Sequence, residues 1–151
     1  MEAATAVVLD ANIALRAVLG AGARRIIAEH AGPTWMCAPA VAFADARRHL
    51  PVIAGRRGWS PDALKAALDA LDALEHLVHP IDAETYHGAL GEAHLRIDVR
   101  DPDDAPILAT ALTLACPVWT EDQDFFGTGV PTWTTDRVEL YLSPDRPATT
   151  A

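Results

Sequence analysis

The sequence predicts an α/β fold, a three-layer α/β/α sandwich around a mostly parallel sheet, and three observations carry that expectation. Short apolar stretches of strand length alternate with longer stretches of helical periodicity along nearly the whole chain. The opening "AVVLD" is continuously apolar rather than alternating, as strands covered on both faces tend to be. Two apolar stretches, "AVVLD" and "PVWTED", run straight into acids, Asp10 and Asp122, and ligands collect at the carboxyl ends of parallel strands.

Each element follows from its own residues. "AVVLD" is the first buried strand. "ANIALRAVLG" and "GARRIIAEHAG" repeat apolar residues at helical spacing and are each closed by glycine. "TWMCAP" returns to the sheet. "AVAFADARRHLPVIAG" starts as a helix and is expected to bend or break at Pro51, which has no amide hydrogen and crowds the preceding turn. "SPDALKAALDALDALEHL" is the clearest helix, with Ser60 as cap, Pro61 in the first turn and leucines at 64, 68, 71, 74 and 77. "LVHPI" reads as a strand and "DAETYHGALGEAHLRI" as a further helix. "DPDDAPILATALTLA" is a capped helix whose Pro106 falls in the first turn, where no backbone bond is lost. "PVWTED" and "VPTWTT" complete the sheet.

A chain of 151 residues, half of them apolar, can fill one domain with a packed core, here expected over residues 1–143 with a loose tail at 144–151. No apolar run approaches the roughly 20 residues of a membrane helix, and "MEAATAVVLD" is too acidic for a leader peptide. Cys37 and Cys116 have no metal spacing; reduced thiols in the cytoplasm are the default, with a single bridge between them as the alternative. A formal charge of −9 argues against general electrostatic gripping of nucleic acid. It does not exclude an acidic site that concentrates cations.

The acids are ambiguous one by one. Asp10 alone could be an ordinary helix cap. Asp45 shares a helical stripe with Val41, Arg48 and Val52, and alone reads best as an exposed partner of Arg48 or His49. Asp101, Asp103 and Asp104 exceed what one helix start needs; the first two can form the turn and cap, leaving Asp104 free to project. After "PVWT", strand alternation sends Asp122 and Asp124 to one side and Glu121 to the other. Together the acids converge on one crevice. Like charges so placed repel each other, and hard divalent cations with oxygen ligands, Mg²⁺ or Mn²⁺, resolve the conflict.

"VVLDANIAL" near the start, "DDAPILATAL" late and "VWTEDQDFFGTGVPTWTT" near the end resemble the PIN-domain ribonucleases, which include the VapC-type toxin nucleases of bacterial toxin–antitoxin pairs. The likeness in order and spacing spans nearly the whole chain and is most specific in Asp104 followed by Thr120-x-Asp122-x-Asp124-Phe125. It implies that Asp10 and Asp104 are the principal metal ligands, that Asp122 completes the set, and that Asp124 is an alternate or supporting ligand. Where the family usually has glutamate, this chain has Asp45, one methylene shorter, so a direct metal contact there is in question. Asn12 and Thr120 fall beside the acids as polar supports.

The resemblance further implies cleavage of RNA by one or two Mg²⁺ or Mn²⁺ ions, with Asp122 or Asp45 orienting the attacking water or a second ion. Arg47, Arg48 and Arg100 are the candidate phosphate contacts. A homodimer and an inhibitory antitoxin partner are implied in the same way. The alternative is a PIN-like domain that binds RNA or a protein without cutting. Other chemistries fit poorly. A phosphoacceptor receiver needs a lysine near a late strand, whereas the chain's one lysine, Lys65, sits in the middle helix. A haloacid-dehalogenase phosphatase needs a second acid where Asn12 stands. Ser60 and Ser143 lack a nucleophile elbow, and His76 and His79 lack a third metal ligand.

Overall fold

The computed structural model describes residues 5–97 and 101–143; Arg100 and the expected tail at 144–151 lie outside them. Five strands form one sheet in the order β3-β2-β1-β4-β5, and every pairing is parallel, so the expected "mostly parallel" sheet is parallel throughout. The strands are β1 (Thr5–Leu9), β2 (Thr34–Pro39), β3 (Val78–Ile81), β4 (Val118–Trp119) and β5 (Thr132–Trp133). In β1, Val7, Val8 and Leu9 are fully buried, which matches its unbroken apolar run.

The helices divide into two sets. α1 (Ala11–Leu19), α2 (Gly22–His30), α3 (Ala40–Arg57) and α4 (Pro61–Leu74) pack on one another. α5 (Ala83–Tyr86), α6 (Leu90–Ile97) and α7 (Ala105–Leu114) form the other set, and α8 (Val138–Leu142) closes the described chain. The reversal of strand order, under the general rule that parallel crossovers are right-handed, accounts for this division. The chain steps from β1 to β2 to β3 in one direction, then returns past β1 to β4 and β5, so the second set covers the opposite face. The crossovers diverge between β1 and β4. That is the topological switch point, where the carboxyl ends of neighbouring strands open a crevice.

Four elements depart from the expectation. α3 does not break at Pro51 but runs unbroken for 18 residues. Pro51 is on the solvent face, while Ala42, Phe43, Ala46, Leu50 and Ala54 anchor the opposite face in the core, so burial outweighs one missing backbone bond. The helix then stops at Gly58, whose φ of 66° is left-handed, with its amide donating to the carbonyls of Ala54 and Gly55. The helix expected over 82–97 is divided by a 3₁₀ turn at His87–Ala89. α8 went unanticipated, and α2 ends at His30, two residues before the glycine expected to close it.

Ser60 caps α4 as expected, accepting from the Ala63 amide at 3.1 Å. Trp119 is fully buried, its indole donating to Thr135 Oγ1 at 3.0 Å, and Trp133 stacks on Tyr141. Cys37 and Cys116 are free and buried, and burial pushes the thiols up to about 12 and about 11. Among the described residues, no helix is long and apolar enough to cross a membrane.

Candidate functional site

The acids after β1 and β4 meet at the switch point. Asp10 follows Leu9 directly, and its amide continues the ladder to the Trp119 carbonyl at 3.3 Å. It is also the cap of α1, one oxygen accepting from the Ile13 amide at 2.9 Å. Capping and a site role are therefore compatible, because the second oxygen is directed elsewhere and accepts from the Thr120 hydroxyl. Thr120 Oγ1 accepts in turn from the Asp122 amide at 2.9 Å, and Asp122 Oδ1 accepts from the Asp124 amide at 2.9 Å. This relay ties the ends of two strands together. Asp10 is only 4% exposed, and burial raises its pKa against the opposing bonds from Thr120 and Ile13, with repulsion from Asp122 adding to the rise.

Asp104 arrives from the other side of the crevice. The turn at Pro102–Asp104 is closed by Asp101, whose carboxylate accepts from the Asp103 amide at 3.0 Å. Asp104 precedes α7 but makes no side-chain cap bond, so its carboxylate is not spent on the helix amides. Its Oδ2 is buried and makes no hydrogen bond. Burial pushes this carboxyl up to about 7, and Asp122, Asp101, Asp10 and Asp124 add repulsion in that order. One carboxylate oxygen from each of Asp101, Asp104 and Asp124 lies within 4.8 Å of the others.

A cavity of about 290 Å³ opens over these groups, lined among others by Asp10, Asn12, Asp45, His49, Asp101, Asp104 and Asp122. The structure thus brings Asp10, Asp104 and Asp122 together, with Asn12 exposed at the rim and Thr120 buried beneath. Asp124 adjoins Asp104. Asp45 lines the cavity half-buried, and Arg48 donates to its carboxylate. Glu121 points away, as alternation requires, and accepts from the Thr135 amide at 3.0 Å.

Arg47 does not reach the cavity. Its guanidinium is committed to Asp72, at 2.8 Å, and to Glu75, joining α3 to α4. One helical position decides this: Arg47 faces α4 while Arg48 faces the crevice. Arg100 falls outside the described residues. Sequence reasoning missed Asp101 and His49 as lining residues. The Asp-x-x-Asp spacing of 101 and 104 was visible, but Asp101 had been fully accounted for as a cap.

The donor set fits a hard divalent cation: every candidate ligand is a carboxylate oxygen, and one buried oxygen has no partner. Among the described residues, no lysine or arginine pairs with Asp10, Asp101, Asp104 or Asp122. A second cluster, Glu29, His30 and Glu139, makes a useful contrast. There Arg25 already reaches Glu29 and Glu139 at 2.8 Å each, and with His30 it holds the Glu139 carboxyl down at about 2. That cluster carries its own cation.

Comparisons with known proteins bear on the fold and the family. A comparison with curated protein sequences gives no match. Among solved structures, that of VapBC2 from Rickettsia felis, bound to a DNA fragment from their promoter, is similar with a TM-score of 0.65 and 13% identity, covering 86% of this chain and 98% of that one. At that identity the likeness speaks for the fold alone. The family model for the PIN domain matches residues 8–143, nearly the whole chain, so this chain belongs to the PIN-domain family.

Proposed function

We propose that this chain is an endoribonuclease that cuts RNA phosphodiester bonds with Mg²⁺ or Mn²⁺ held by Asp10, Asp104, Asp122 and Asp124. The observation that carries the reading is the Asp104 carboxylate, which has a buried, unpartnered oxygen and faces four other acids. When bound, such an ion lowers the pKa of water and stabilises the charge of an in-line displacement at phosphorus. The chain's own residues prepare that step. The Thr120 hydroxyl and the Ile13 amide hold Asp10 in one orientation. Asp104 would hold the cation as its ionised carboxylate, since a ligand must be deprotonated. Asp122 or Asp45 would orient the attacking water or a second ion, and Asn12 offers an amide donor to a phosphate oxygen at the rim. Asp101, adjacent to Asp104, joins the ligand candidates.

A homodimer and an inhibitory protein partner over the acidic cavity belong to the same proposal; the VapBC2 neighbour supports the existence of a partner. A cytoplasmic setting with both thiols reduced is part of it too. A second reading, a domain that binds RNA without cutting, is favoured by the Asp45–Arg48 pair, which neutralises one cavity carboxylate.

The deciding experiment incubates the purified protein with labelled single-stranded RNA and Mg²⁺ or Mn²⁺. Cleavage that stops with EDTA, and that Asp10→Asn and Asp104→Asn each abolish with circular dichroism unchanged, supports the nuclease. Wild-type cleavage by either variant refutes it, and RNA retained intact by the cation-loaded wild type favours the second reading.

A further inference from the structure

The acidic cavity adjoins a second groove of about 640 Å³, and Val41, Asp45, His49, Asp103 and Pro106 line both. The character changes along the way. Beyond the shared wall the groove gains Arg48, His94, Leu90 and Pro102. Its apolar part suits the face of a base or ribose, and its volume is that of a small-ligand site. Among the described residues lining the two cavities, Arg48 is the one arginine or lysine.

Arg48 is placed to change partners. Its side chain is 75% exposed, and its bond to Asp45 spans one helical turn. Exposed ion pairs of this kind are weak and easily exchanged. A phosphate offers the guanidinium fork a charged partner with matching two-point geometry. A chain of charge −9 also needs local cations to admit a polyanion beside the six carboxylates that line the cavity. Arg47, one residue away, cannot serve, because Asp72 and Glu75 hold it.

We propose that this groove seats the nucleotide next to the one whose phosphodiester lies over the acidic cavity in a bound single-stranded RNA, and that Arg48 leaves Asp45 to hold that nucleotide's phosphate. The exchange frees Asp45 towards the acidic cavity as the substrate arrives, so that Arg48 couples substrate entry to completion of the carboxylate set. His49, at the boundary of the two cavities, adds a ring N–H donor to the same strand. The proposal rests on the RNA reading above but not on catalysis.

The test is fluorescence anisotropy of a labelled single-stranded RNA with Mg²⁺, in an Asp104→Asn background that leaves the RNA uncut. Arg48→Ala is expected to weaken binding about tenfold, the loss of one charge-assisted contact. It should also reduce the slope of log affinity against log salt by about 0.7, one phosphate on a single strand. Arg47→Ala should change neither. An unchanged affinity and slope in Arg48→Ala overturns the proposal, as does a background protein that binds no RNA. Cleavage by the wild type is scored separately. Arg48-dependent binding without cleavage sinks the nuclease reading and leaves the groove standing, whereas cleavage with Arg48-independent binding does the reverse.

Discussion

The Thr120 hydroxyl has one proton, which goes to Asp10, so the Asp122 amide meets it as an acceptor. Thr120→Val keeps the shape and removes both roles, leaving one buried Asp10 oxygen and the Asp122 amide without partners. A loss of about 1–3 kcal/mol in chemical denaturation is expected, with weaker Mn²⁺ binding, and Thr120→Ser should restore both. Asp104 gives a pH signature. Its carboxyl titrates at about 7 in the cation-free fold against 3.8 for an unperturbed aspartate, so the folded form holds the extra proton between those values. Stability of the cation-free protein therefore falls as pH rises from about 4 to about 7 and stays lowered above that. Asp104→Asn cannot ionise. In EDTA it should melt a few degrees above wild type at pH 8, with the gap closing towards pH 4, and Mg²⁺ should raise the wild-type Tm selectively. Equal pH slopes would contradict the assignment of the buried charge to Asp104.

At the scale of elements, α3 shows how packing overrides a local signal. Pro51 is a sound reason to expect a break when residues are read in sequence, but its solvent-side position becomes visible only when the helix is seen on the sheet. Pro51→Ala restores a backbone bond on the exposed face and should stabilise the fold by about 1–3 kcal/mol. A destabilised Pro51→Ala protein would mean that the proline sets a bend the packing needs. Ala115, after α7, has a φ of 52°, a left-handed conformation that glycine adopts without its cost. Ala115→Gly is expected to gain about 0.5–1 kcal/mol in thermal unfolding. The reasons some elements were legible are visible here. α4 carries its cap, its first-turn proline and its leucine stripe within its own residues. α8 has five residues and no side-chain cap, and the turn at His87–Ala89 has no breaker stronger than Gly88. The split of roles between Arg47 and Arg48 depends on where α4 lies, which no local pattern contains.

Across the whole molecule, the topology makes a site from acids that are far apart in sequence. Asp10 and Asp122 are adjacent because β1 pairs with β4, and Asp104 joins them because α7 crosses back over the face of β1 and β2. The candidate ligands could be picked out because two apolar strands each run into aspartate and a third acid cluster heads a helix, and the family likeness then ranked them; residue by residue, each acid had an ordinary explanation. Asp101 was lost for that reason. The same wide spacing makes the central claim directly testable. A crystal soaked in Mn²⁺ and measured at the manganese absorption edge should show an anomalous peak among the carboxylates of Asp10, Asp104 and Asp122. A crystal with no peak there at saturating Mn²⁺, or with manganese bound only at Glu29, His30 and Glu139, would contradict the account.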